Sequence, residues 1–126
     1  MTLFDRLTEQ GSVLRAALNG TMVRNDVIVN NIANADVAGF KASRVDFEES
    51  LKHAVANTPR NQRRDLSGVV PTVRRDNPNH SFRLDHNNVD IEREMVALYQ
   101  NAMRFETMIA SVQNNSRRLS LALGGR

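Results

Sequence analysis

The stretch Ile91–Leu123, IEREMVALYQNAMRFETMIASVQNNSRRLSLAL, decides the fold. Within it Ile91, Met95, Leu98, Ala102, Phe105, Ile109, Val112, Ser116, Leu119 and Leu123 fall alternately four and three residues apart. All but Ser116 are apolar. A sustained 3.5-residue period marks a helix that packs along a narrow seam against other helices, as in a coiled coil. Asp90, Glu92 and Glu94 gather at its start, where negative charge complements the helix dipole. Arg117 and Arg118 sit in the closing turns, and Gly124-Gly125 supplies a stop. Roughly 33 residues at about 1.5 Å each make a rod of about 50 Å. A chain of 126 residues cannot bury such a stripe alone, so the helix needs partners.

The first third repeats the signal more weakly. Phe4, Leu7, Gly11, Leu14, Leu18, Thr21, Asn25, Ile28 and Ile32 fall on a seam of the same spacing. Asn25 occupies a position where a buried Asn fixes register at a cost in stability, or faces water if the seam is imperfect. Gly11-Ser12 is a candidate break, with Ser12 capping a second start. If the two seams pair within one chain, the helices run antiparallel.

Between them the periodicity disappears. From Lys52 to Asp85 the chain holds all three prolines (Pro59, Pro71 and Pro78) and few large apolar residues. Seven cations (Lys52, Arg60, Arg63, Arg64, Arg74, Arg75, Arg83) face three anions there, so this segment is more positive than the whole chain at +3. Val69-Val70-Pro71-Thr72-Val73 suits one short edge strand or hairpin arm. The remainder reads as an insertion that orders against a neighbour. The expected organisation is an N-terminal coiled-coil helix over 1–38, a post-helix turn segment over 39–51, an irregular basic insertion over 52–85 and a C-terminal coiled-coil helix over 86–126. The fold class is mainly α, with room for a short β element in the middle.

Composition narrows the function. With 40% hydrophobic residues, 5% aromatics and no Trp, the chain has little material to wall a large substrate pocket. The lack of Cys removes thiol nucleophiles, disulfides and Cys-based metal sites. His53, His80 and His86 lie in or beside the irregular middle without metal-ligand spacing, and read as solvated loop residues. A calcium-loop reading from Asp85 fails, because Asp90 and Val96 stand where Gly and Glu are required. Asp46, Glu48 and Glu49 read as a solvated charged turn. No nucleotide-binding or hydrolase motif is present, so no enzyme activity and no cofactor or metal is expected. The N-terminus shows no cleavable signal peptide, and no apolar run approaches the ~20 residues that span a bilayer. Direct membrane insertion is therefore not expected.

Of the 17 cationic residues all but Lys41 and Lys52 are Arg, which suits ordered interfaces and equally follows from coding bias. Two readings without catalysis remain. One is a small basic helical nucleic-acid-binding protein using Arg63, Arg64, Arg74 and Arg75 on phosphates. It lacks interleaved aromatics and any recognisable DNA-binding motif. The other is a self-assembling subunit whose seams lie at both chain ends, with Leu14, Leu18, Asn25, Ile28 and Ile32 joining the C-terminal series.

The run Asn30-Asn31-Ile32-Ala33-Asn34-Ala35-Asp36-Val37-Ala38-Gly39-Phe40-Lys41 resembles the signature N-N-I-A-N-A-x-T-P-G-Y/F-K of bacterial flagellar rod and hook proteins. Asn31, Ile32, Ala33, Asn34, Gly39 and Lys41 match it directly, and Phe40 replaces Tyr. Val37-Ala38 stands where the family has Thr-Pro. Val45-Asp46-Phe47-Glu48 and the run Asn87-Asn88-Val89-Asp90-Ile91-Glu92-Arg93-Glu94-Met95 are similar to the proximal-rod version, through Asn88, Val89, Asp90, Glu94 and Met95. The resemblance covers both terminal thirds and not the middle. It implies a structural subunit of the proximal rod of the flagellar basal body, in the periplasmic space, transmitting torque from the membrane ring toward the hook. The implied partners are copies of itself, other rod proteins and the rod-to-membrane-ring adaptor. The implied route is the flagellar type III export apparatus, without a cleaved signal. On residues alone, Gly39 is expected at positive φ where the chain leaves the first helix, with Phe40 anchoring the turn.

Overall fold

The computed structural model describes residues 3–58, 66, 68–76 and 83–124, with backbone alone over 3–8. Five elements follow in order: α1 (Leu3–Ala33), β1 (Ser43–Asp46), α2 (Glu48–Ala56), β2 (Thr72–Arg75) and α3 (Ile91–Ala122). The two long terminal helices pack together, as the seams require. They run antiparallel: Asn101 Nδ2 donates to the Thr21 carbonyl at 3.0 Å, whereas Asn31, further along α1, reaches back to Glu94. The side chains of Phe4 and Leu7 lie outside the described residues.

α1 does not break at Gly11-Ser12. The helix is continuous from Leu3 to Ala33, and the Ser12 hydroxyl donates to the Glu9 carbonyl at 2.7 Å instead of capping a new start. A hydroxyl bonded to a carbonyl one turn back is compatible with an unbroken helix, at a small cost in stability. α3 begins as expected at an N-cap: Asp90 is extended, and its carboxylate accepts from the backbone N–H of Glu92 and Arg93. It ends before Gly124, at φ 79°.

The segment after α1 is more regular than its composition suggested. β1 and β2 form an antiparallel pair with Ser43 opposite Arg75 and Asp46 opposite Thr72. β2 starts at Thr72 and not at Val69, because Pro71 has no N–H to donate to a ladder. Outward-facing Arg74 pairs with Asp46 and Arg44 with Asp76 across the ribbon, while Val45 is buried beneath it. Glu48 and Glu49, expected in a solvated turn, instead open α2, where the dipole favours acids. α2 continues past Lys52 because Leu51, Ala54 and Val55 share one half-buried face.

Phe47 couples this segment to the helix pair. Its ring is 3% exposed and lies on Gly20 of α1, where an added Cβ would come within 2.5 Å of it. The Arg24 guanidinium, one turn on, stands 5.0 Å from the ring centroid. Burying the ring contributes about 1.5–3 kcal/mol, enough to offset the ~1 kcal/mol that a mid-helix glycine costs. Gly20→Ala should therefore expel Phe47 and lower stability by about 1–3 kcal/mol, the usual cost of overpacking. Gly11→Ala, with no atom within 4 Å of its added Cβ, should raise stability by up to about 1 kcal/mol. Thermal or urea denaturation of the two variants measures both signs.

Candidate functional site

The runs 30–41 and 87–95 meet face to face at the end of α1. Asn31 lies at the centre, 1% exposed. Its Oδ1 accepts from the Ser43 N–H at 2.9 Å, and its Nδ2 donates to the Ser43 carbonyl at 2.9 Å. The side-chain amide thus pairs with β1 as a neighbouring strand would. The same Nδ2 donates to Glu94 Oε2 at 3.1 Å, which brings α3 into the junction. Glu94 is 5% exposed, so its carboxylate is one of the few charges this chain buries.

One turn beyond, Asn87 is fully buried. Its Nδ2 lies within hydrogen-bond distance of the carbonyls of Asn34, Ala35 and Val37, at 2.8–3.0 Å, and its Oδ1 accepts from the Val89 N–H. These carbonyls belong to the turn that follows α1, where those of Asn34 and Val37 also accept the backbone N–H of Val37 and Phe40. Asn87 ties that turn to a distant part of the chain. Asn88 Oδ1 accepts from the Ala42 N–H, and Asn34 Nδ2 donates back to the Asn30 carbonyl. Ala35, Ala42 and Val89 form a small apolar cluster against which Phe40 packs. Gly39, at φ 73°, turns the chain so that its N–H reaches the Asp85 carbonyl at 2.8 Å. Lys41 Nζ donates to the His86 carbonyl. Ile32 and Met95 are half-buried beside the junction, and Ala33 is exposed.

Asn87 had been legible only as part of a run, and Gly20, Arg24 and Ser43 were not singled out at all. A glycine inside a helix is the signal that points to Gly20. Ser43 acts through its backbone, which no residue pattern reveals.

Along the helix pair, Thr21 and Ile28 of α1 are buried, and Leu14, Leu18 and Ile32 are half-buried. Asn25 faces outward. On α3 the buried residues are Glu94 and Asn101. Leu98, Phe105, Val112 and Leu119 are half-buried on that side, as are Met95 and Ile109, whereas Ile91, Ala102 and Leu123 are exposed. The described apolar seam residues of α1 are therefore all at least half-buried, whereas three of the nine on α3 remain exposed.

Among the described residues no three His, Asp or Glu side chains gather to hold a metal ion. His53 stands 3.9 Å from Glu49 on α2, and His86 occupies a turn at φ 62°. His80, Arg63 and Arg64 lie outside the described residues. The arrangement fastens the end of α1 to β1 and α3.

A second fastening joins α2 to α1. Arg24 pairs with Glu48 at 2.5 Å and donates to the Val45 carbonyl at 3.1 Å. Burial raises the Glu48 carboxyl, but the Arg24 hydrogen bond and charge, with backbone donors at Glu48 and Phe47, more than offset it, leaving the group below its ordinary value. A carboxyl held low in the folded chain contributes stability above its unfolded value that is lost as pH falls through the folded one. Amides of α2 should thus lose hydrogen-exchange protection below about pH 4, before those of α3, and Glu48→Gln should remove that dependence. Asn31→Ala should cost about 1–3 kcal/mol by orphaning Ser43 and Glu94. Asn31→Asp should cost more, because it sets a second carboxylate beside Glu94. Urea melts of the two variants check the order.

Residues 13–41, which include the α1 end of this junction, match the family model described as flagella basal body rod protein. The chain is 37% identical over 101 residues to the flagellar basal body rod protein FlgB of Borreliella burgdorferi, covering 68% of this chain and 74% of that protein. Its identity to the Bacillus subtilis FlgB is 29% over 122 residues, with coverages of 89% and 91%. To the Escherichia coli FlgB it is 26% over 128 residues, with coverages of 87% and 89%. The chain belongs to the FlgB family of flagellar basal body rod proteins, a family of structural rod subunits and not of enzymes.

Proposed function

We propose that the chain builds the proximal rod by laying its paired terminal helices against copies of itself and other rod proteins. It thereby carries torque from the membrane ring toward the hook. The observation that carries this reading is the distribution of apolar residues on α3. One side faces α1, while Val96, Tyr99 and Met103, on another face, are 55–64% exposed. Ile91 and Ala102 add exposed apolar surface along the flank. A helix apolar on more than one side finds its partners in other chains. The assembly seam comprises Leu14, Leu18, Asn25, Ile28 and Ile32 on α1. On α3 it comprises Ile91, Met95, Leu98, Ala102, Phe105, Ile109, Val112, Leu119 and Leu123. The terminal segments 1–38 and 86–126, which contain α1 and α3, form the assembling unit, with 39–51 as its turn segment and 52–85 as a basic insertion outside it.

The family relationship supports export through the flagellar type III apparatus without a cleaved signal, a place in the periplasmic space, and contact with the adaptor that joins rod to membrane ring. Among the described residues no helix is long and apolar enough to cross a membrane. Nothing in the geometry favours nucleic-acid binding: Arg44 and Arg74 of the ribbon are matched by Asp76 and Asp46.

Phe105→Asp removes a half-buried ring from the seam and puts a carboxylate in its place. It should abolish rod assembly and motility while the chain is still made. The double change Arg63→Ala with Arg64→Ala, which lies on no apolar seam, should be milder. Swimming of the Phe105→Asp strain, with loss of motility in the arginine variant, overturns the reading.

A further inference from the structure

The ribbon and α2 lie against Gly20, Arg24 and Asn31 of α1. On another flank of the helix pair, Met22, Asn25 and Asp26 of α1 and Ala102, Phe105 and Glu106 of α3 enclose an open groove of about 310 Å³. Its lining is apolar at Met22, Ala102 and Phe105. Asp26 and Glu106 are both exposed, and among the described residues neither forms an ion pair. An occupant must therefore bring apolar bulk together with positive charge.

The last turns of α3 carry that combination. Arg117 and Arg118 are exposed and have no carboxylate partner among the described residues. Leu121, 64% exposed, lies one helical turn beyond Arg117 and on the same face, and Leu123 is 73% exposed. These turns cannot reach the groove of their own chain. α3 is one uninterrupted helix, and the eleven residues from Glu106 to Arg117 hold the two apart by about 16 Å along its axis. Groove and tail satisfy each other only between two chains.

We infer that the groove takes the C-terminal turns of α3 from a second copy, with Arg117 and Arg118 on Asp26 and Glu106 and with Leu121 over Phe105. This rests on the reading of the chain as a rod subunit and specifies how its copies join. Groove and tail are different surfaces, so the contact is head-to-tail. Such a contact leaves a free groove at one end and a free tail at the other, and it propagates where a symmetric one closes at the dimer.

The chain has no cysteine, so introduced thiols are its only ones. Chains carrying Asn25→Cys with Leu121→Cys, or Glu106→Cys with Leu121→Cys, would replace the native copy in motile cells and be oxidised mildly. The inference expects a ladder of dimer, trimer and higher species from one of these pairs, and nothing beyond dimer from single-cysteine chains. Swimming cells whose pairs give no ladder overturn the head-to-tail contact while leaving the rod reading intact. That outcome would equally point to a basic helix of another rod protein as the occupant.

Charge exchange provides the second arm and decides the matter should the cysteine chains fail to build a rod. Asp26→Arg with Glu106→Arg should abolish motility, as should Arg117→Glu with Arg118→Glu. All four changes in one chain should restore it. Wild-type swimming of both double variants, or no restoration by the fourfold one, overturns the inference.

Discussion

The amide of Asn31 is the constraint on which the rest depends. It is bonded on one side to the backbone of Ser43 and on the other to Glu94, so α1, β1 and α3 share one side chain. Apolar contact alone would let two long helices slide by a turn with little penalty. A buried amide that pairs in one register, and leaves a buried carboxylate stranded in any other, makes sliding expensive. Asn87 adds a similar lock just past the helix end, where its amide reaches three carbonyls of the turn that follows α1. Asn101, bonded to the Thr21 carbonyl, adds another between the helices.

This polar lining explains how apolar surface remains for neighbours. The fully buried hydrophobic residues among those described are Ile28, Ala35, Ala42, Val45, Phe47 and Val89, and most of them sit at the junction and not along the helices. Between the helices, Thr21, Glu94 and Asn101 occupy buried positions that a self-sufficient pair would fill with leucine. The chain thus spends polar residues on register within itself and keeps Val96, Tyr99 and Met103 on its surface. The contact between the two helices of one chain leaves these three residues on a different face of α3.

Much of this was legible in the sequence. The seven-residue recurrence pointed to paired helices, the Asp90 cap and the Gly39 turn were readable from residue type, and the two Asn-rich runs stood out through their resemblance to the rod-protein signature. The phase of the contact was not legible, because counting apolar residues cannot register that Glu94 and Asn101 point inward to specific polar partners. α2 escaped notice because a nine-residue helix offers only one short apolar face, and its docking depends on a glycine in α1. β2 was placed slightly early because Pro71 sits inside a run of strand-forming residues. The use of Ser43 as a pairing edge is a tertiary fact without a local signature.

The bonds that close the helix pair join residues far apart in the chain: 80 positions separate Thr21 from Asn101, and 63 separate Asn31 from Glu94. A chain produced or threaded N-terminus first offers α1 no partner until the last third has emerged. Alone, a helix that interrupts its apolar positions with Gly11, Gly20, Thr21 and Asn25 is marginal in water. The helix pair is thus a property of the joined ends. α1 acquires its fixed register only when Glu94 and Asn101 are present to meet Asn31 and Thr21, and the strut is made by the meeting of the first third with the last.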